Sequence, residues 1–171
     1  MLVENDWHRY CRDRYVQRDG SLGTYYYVDM PGSAAAIPSF PDGSTVLLRV
    51  YRYLLGKEFW EFPIGGMKRG EDPLSVAAHE LREEAGLVAR DWVPLGRFAP
   101  YKGVSNEICH VFLARDLDEV GQELEPSEQI SVHRMPIGEA RRLLLGQDCG
   151  DGQSLTGLLL LDRWLVERGD P

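Results

Sequence analysis

The 171-residue sequence predicts a mixed α/β fold, and three observations carry that expectation. Runs rich in β-branched and aromatic residues at 24–30 and 45–53 read as strands, with 34–37 a short candidate strand between them, separated by Pro31-Gly32 and by Pro41-Asp42-Gly43-Ser44. A strongly patterned helix follows at 73–85, and two more close the chain after a second group of strands. Strands both before and after a helix argue for helices layered over a shared sheet.

Taken in order, residues 1–23 mix charge with aromatics and read as an N-terminal extension ahead of the strand at 24–30. The runs 34–37 and 45–53 flank the turn at 41–44, which predicts a hairpin. After the helix, 92–99 reads as a strand, 100–106 as a loop, 107–115 as a buried strand and 130–133 as a short aliphatic strand. Helices are expected at 137–145 and 154–167, joined by a turn-rich connector at 146–152. In the second, Leu155, Leu158, Leu159, Asp162 and Leu165 recur at helical steps, so this mostly apolar face is expected against the sheet.

The helix at 73–85 has clear ends. Asp72 suits the N-cap, Pro73 the first helical position, where a missing N–H costs nothing, and Gly86 a left-handed C-terminal cap. Leu74, Ala77, Ala78, Leu81 and Ala85 form one apolar stripe. Glu80, Glu83 and Glu84 project together beside it, and each like-charge pair at such spacing costs roughly 0.2–0.5 kcal/mol. The residues alone leave two readings: a solvated acidic face, or a site for a hard divalent cation such as Mg²⁺, which takes oxygen ligands and is completed by water and substrate phosphate.

Composition bounds the rest. With 43% hydrophobic and 27% charged residues the chain resembles an ordinary globule, and its length suits a single domain, 1–171, burying about 70% of its unfolded surface. A net charge of -8 argues against nucleic acid and anionic membranes as partners, but not against a phosphate substrate, because bound cations invert the local sign. No apolar run reaches eighteen residues, and the first residues carry acids rather than a basic leader, so the expected compartment is the cytoplasm. Cys11, Cys109 and Cys149 are odd in number and in no metal-ligand spacing, and are expected to be reduced structural thiols.

Gly65, five residues, Glu71, seven residues, then His79-Glu80-Leu81-Arg82-Glu83-Glu84-Ala85-Gly86-Leu87 resembles the signature box of the Nudix hydrolases, here at 65–87. Every fixed position matches except one: His79 stands where the family has arginine. The resemblance implies the Nudix-type α/β/α sandwich and metal-dependent cleavage of a nucleoside diphosphate linked to another group. It makes Glu80, Glu83, Glu84 and the Ile64 carbonyl ligands for two or three Mg²⁺ or Mn²⁺ ions, with Glu83 also counted as catalytic. The family arginine braces the glutamates; imidazole is shorter and mostly neutral near pH 7, so His79 is either a weaker brace or a helix histidine without a role.

Further stretches resemble the ADP-ribose pyrophosphatase and nucleotide-sugar branch: Tyr51-Arg52, then Trp60-Glu61-Phe62-Pro63-Ile64-Gly65, then Pro100, Gly103, Ser105 and Glu107 before a strand ending in Leu113-Ala114. This implies substrate binding by Arg52, Gly65 and Gly103; for Arg52 the alternative is an exposed strand arginine in a salt bridge. The acidic stretch holding Asp116, Asp118, Glu119, Glu123, Glu125 and Glu128 reads as a solvated turn or as the source of the general base. By resemblance the base falls beside Pro126, so Glu125 and Glu128 are both candidates. Tyr25, Tyr26 or Tyr27 would stack on the nucleobase or pack within the sheet.

The implied substrate is ADP-ribose, with another nucleoside diphosphate sugar such as GDP-mannose as the alternative, and a non-catalytic sensor of such a ligand as the reading from another class. The branch forms dimers through its N-terminal strands, which implies a homodimer.

Overall fold

The computed structural model describes residues 1–124 and 129–169. The strands are β1 (Val3–Glu4), β2 (Arg9–Val16), β3 (Leu22–Asp29), β4 (Ser33–Pro38), β5 (Ser44–Arg52), β6 (Lys57–Glu61), β7 (Ile64–Gly66), β8 (Leu87–Phe98), β9 (Cys109–Glu119) and β10 (Ile130–Pro136). The α-helices are α1 (Pro73–Ala85), α2 (Ile137–Gly146) and α3 (Gly152–Arg168).

Strand β4 is buried along its whole length, which requires cover on both faces. Successive strand residues point to opposite faces, and the core divides accordingly. Ala34 and Ala36 pack with Val76, Ala77, Leu81 and Ala85 of α1, whereas Ala35 and Ile37 pack with Ala140 and Leu144 of α2 and Leu158 and Leu161 of α3. Small side chains on β4 let both helical layers approach. The α/β sandwich with helices on either side is therefore the architecture.

Its sheet is split. Four strands run β7-β4-β9-β8, with β4 parallel to β9 and the other pairs antiparallel; three run β10-β5-β6, all antiparallel. The expected hairpin of 34–37 with 45–53 does not form, because β4 lies in the first sheet and β5 in the second. The turn at 41–44 carries the chain between them, tied by Phe40 N–H to the Ser44 carbonyl at 3.0 Å, and Thr45 Oγ1 donates to the buried Pro38 carbonyl at 2.6 Å. Loop sequence alone does not distinguish a hairpin from this crossing.

A third sheet, β1-β2-β3, is built from the segment read as an extension plus the strand after it. Its pattern concealed it: β2 is exposed almost throughout, so no apolar alternation marks it. The sheet is fastened to the body rather than trailing. Val28 N–H bonds the Val104 carbonyl at 2.8 Å, Tyr25 Oη donates to the Gly103 carbonyl at 2.9 Å, and Arg69 of the box loop reaches Asp29 at 2.6 Å. Tyr25 and Tyr26 are half exposed, so the tyrosine run is not the packed strand one expects of such residues.

Helix α1 runs over the predicted residues, with Asp72 accepting from Ser75 N–H at 2.9 Å and Gly86 in the left-handed region at φ 66°. Its buried stripe is rotated from the expected one: Leu74 is exposed, and Val76 and Glu84 are inside. In α3, Leu158 and Leu161 are buried while Leu159 faces solvent. Among the described residues no helix is long and apolar enough to cross a membrane.

Candidate active site

The acid-bearing helix meets the first sheet at β7, and one glycine sets how closely. A Cβ added to Gly65 would lie 1.8 Å from Glu80 Oε1, so the Glu80 carboxylate occupies the space a side chain would fill. Only glycine admits that approach. One turn on, Glu84 is buried, and its Oε2 accepts the Ile64 N–H at 3.2 Å. Helix and β7 are thus joined through the glutamates themselves.

Glu83 turns the other way. His79 Nδ1 lies 3.2 Å from Glu83 Oε2 across one helical turn. The three acids therefore diverge, one over Gly65, one to the Ile64 amide and one to His79. Among the described residues no three acidic, histidine or cysteine side chains are grouped so that they could by themselves hold a metal ion. Glu71, the remaining box acid, accepts the Lys68 N–H at 2.6 Å and shapes its own loop.

A groove of about 420 Å³ runs along Gly66, Glu71, His79, Glu80 and Glu83, and a larger cleft of about 760 Å³ adjoins it at β7. Ile64 and Gly65 line the cleft together with Arg52, Glu61, Glu107 and Asp151. Arg52 is both things the sequence allowed. It faces the cleft and makes a two-pronged ion pair with Glu61, Nε to Oε1 at 2.8 Å and Nη2 to Oε2. Glu61 is almost wholly buried, and burial pushes its carboxyl up although Arg52 pulls it down; the same contact raises the Arg52 guanidinium.

Sequence reasoning named Trp60-Glu61 as a motif but assigned Glu61 no role. The available signal was an acid inside the otherwise aromatic run Phe59-Trp60-Glu61-Phe62, since an unpaired buried carboxylate is too costly to leave there. Glu107 was likewise matched without a role. It lies on the cleft wall, where Ser33 Oγ donates to it at 2.6 Å and Gln153 Nε2 donates to Ser33 at 2.9 Å.

The structure thus brings Arg52, Ile64, Gly65, Glu80 and Glu83 to two adjoining hollows, with Glu84 buried behind them against the Ile64 amide. Gly103 stands apart from both linings, in the turn held by Tyr25. Glu125 and Glu128 lie outside the described residues. Cys149 is exposed on the cleft rim rather than structural, whereas Cys11 and Cys109 are buried and burial pushes the Cys109 thiol up to about 11.

The donor set suits a hard cation: carboxylates and main chain from two packed elements, with the Gly65 hollow letting one carboxylate reach the backbone. The open arrangement leaves positions for water and phosphate, as Mg²⁺ sites do.

Comparison with known proteins agrees. A model of the NUDIX domain matches residues 30–152. The chain is 32% identical over 151 residues to the ADP-ribose pyrophosphatase of Mycobacterium tuberculosis, covering 86% of this chain and 73% of that one. It is 30% identical over 155 residues to the ADP-ribose pyrophosphatase of Bacillus subtilis, covering 87% and 84%. It is 33% identical over 142 residues to a CMP-5'-(N-acetyl-N-hydroxy-3-aminopropyl)phosphonate hydrolase of Streptomyces rubellomurinus, covering 82% and 68%. The fold matches a solved ADP compounds hydrolase with a TM-score of 0.82 at 20% identity, over 99% of this chain and 92% of that one. With Glu80 and Glu84 of the box packed on β7 as described, the chain belongs to the Nudix family of hydrolases.

Proposed function

We propose that the chain hydrolyses the diphosphate of ADP-ribose, or of a related nucleoside diphosphate sugar, to a nucleoside monophosphate and a sugar phosphate. The observation that carries this reading is the junction at β7, where the groove bearing Glu80 and Glu83 meets the cleft bearing Arg52. A diphosphate there has carboxylates on one side and a guanidinium on the other. Two pyrophosphatase relatives above 70% coverage support the substrate class. The relative named for a CMP phosphonate supports a group joined to the nucleotide that varies among relatives, and GDP-mannose is the alternative substrate.

Glu80, Glu83, Glu84 and the Ile64 carbonyl would hold two or three Mg²⁺ or Mn²⁺ ions. When bound, these neutralise phosphate charge and lower the pKa of bound water. The chain supplies the rest. Gly65 lets Glu80 reach the backbone, the Ile64 amide orients Glu84, and Arg52, aligned by Glu61, contacts phosphate or ribose. Glu125 or Glu128 takes the proton from the water as its oxygen bonds phosphorus and the bridging P–O bond breaks. We place this single domain in the cytoplasm as a homodimer joined through its N-terminal strands, a location that the three free cysteines support.

The test is a product-resolved assay of ADP-ribose, GDP-mannose, UDP-glucose, NADH, diadenosine polyphosphates and nucleoside triphosphates with Mg²⁺ or Mn²⁺. AMP and ribose phosphate from ADP-ribose are the expected products; release of pyrophosphate from triphosphates alone would overturn the reading. Glu84→Gln keeps the shape and removes the charge, and should lower turnover by roughly 10²-fold or more, since even groups that merely orient a metal ligand cost 10–100-fold.

A further inference from the structure

We propose that Arg82 and Gln122 are positioning residues: together they seat the acidic segment after β9 on the last turn of α1, which sets the general base in register with the box glutamates. The inference rests on the reading above, in which that segment supplies the base and Glu80, Glu83 and Glu84 hold the cations.

Four bonds make the seat. Val120 N–H donates to the Gly86 carbonyl at 2.8 Å, and Glu123 N–H to the Glu83 carbonyl at 3.0 Å. Gln122 Nε2 donates to the Glu84 carbonyl at 2.7 Å, and Arg82 Nη2 to Glu123 Oε1 at 2.7 Å. The segment thereby takes up carbonyls that a helix cannot satisfy at its own C-terminus, two of them from Glu83 and Glu84 themselves. A Cβ on Gly86 would lie 2.7 Å from the Gly121 carbonyl carbon, so backbone rests directly on backbone there.

Charge opposes this approach. Glu123 brings a carboxylate to the negative end of α1, beside a turn that already carries Glu83 and Glu84. Arg82 offsets it with a cation on that same turn, and Gln122 adds a donor without adding charge. Glu125 and Glu128 follow Glu123 by two and five residues, so whatever displaces Glu123 displaces both candidate bases.

Capping of the helix by itself would govern stability alone, and an ion pair with both partners more than half exposed contributes little to that. The experiment separates the two roles. Wild type, Arg82→Met with Gln122→Leu, and Arg82→Lys are compared in kcat and KM for ADP-ribose with Mg²⁺ and in Mn²⁺ binding by electron paramagnetic resonance. Free of metal, each is melted and digested with a glutamate-specific protease, the cuts after Glu123 and Glu125 being read by mass. In the double variant kcat should fall roughly tenfold and those cuts come several times faster, with KM, Mn²⁺ affinity and melting close to wild type, since small misplacements of a reacting group cost up to about 100-fold. Arg82→Lys still offers a charged N–H to Glu123 Oε1 and should keep kcat within about twofold. Unchanged kcat or unchanged cutting in the double variant overturns this inference alone, as does Mn²⁺ affinity falling in step with kcat, which would make the two side chains props of the metal ligands. If Glu125→Gln and Glu128→Gln both retain wild-type kcat, the assignment of the base fails and this inference with it. Wild type that hydrolyses none of the assay compounds overturns the functional reading as well.

Discussion

At the residue scale, the candidate site depends on side chains that are absent or paired rather than merely present. Gly65 matters for the atom it lacks, since Glu80 fills that space. Arg52 and Glu61 matter as a pair. Glu61 is 3% exposed, so deleting Arg52 strands a carboxylate inside the protein. Arg52→Met should destabilise by about 1–3 kcal/mol in urea unfolding, the range for an unsatisfied buried polar group, with the lower half expected because Arg52 is half exposed and water can enter. Adding Glu61→Leu should restore part of that loss by removing the orphaned charge. A double variant as unstable as the single one would show that the pair acts through packing alone.

At the element scale, the N-terminal sheet is tied to the box loop through Asp29 and Arg69. Asp29, at the end of β3, accepts from Asn106 Nδ2 at 2.7 Å and from Arg69 at 2.6 Å, and these partners hold its carboxyl below the usual value. A carboxyl lowered on folding stabilises fully above its unfolded pKa near 3.9 and loses that contribution as pH falls below it through the native value. The sheet should therefore loosen from the box loop below about pH 4. At neutral pH Asp29→Ala should mimic this. Trypsin cleavage after Arg12, Arg14 or Arg18 is expected about fivefold faster than in wild type, the population change for roughly 1 kcal/mol. Unchanged cleavage would mean that the strand contacts to Val104 and Gly103 suffice.

At the scale of the whole molecule, the same sheet exposes Tyr10, Val16, Leu22 and Tyr26 on one face. Tyr10 and Tyr26 stack at 6.2 Å, leaving aromatic faces toward solvent. A second copy of the chain would cover them. Light scattering at micromolar concentration should give twice the chain mass, and Tyr10→Ser with Tyr26→Ser should shift it toward the monomer. A monomer mass for wild type would rule the dimer out.

Helix α1, its caps and the Glu80, Glu83 and Glu84 patch were legible in the sequence because helical periodicity and capping are local, set by residues within a few positions of one another. The box spacing was legible for the same reason. Which sheet each strand joined was not: β4 and β5 sit across one short turn yet belong to different sheets, decided by partners such as β9 and β10 far along the chain. Strand β2 was missed because a strand exposed on both faces has no apolar alternation to reveal it. The bonds of Arg52 to Glu61 and of Asp29 to Arg69 needed three dimensions, because side-chain pairing between distant segments depends on distance and burial. The sequence by itself determined the acid-bearing helix and the family; the tertiary structure decided where each acid points, since only packing against β7 makes Gly65 a hollow and Glu84 a buried anchor.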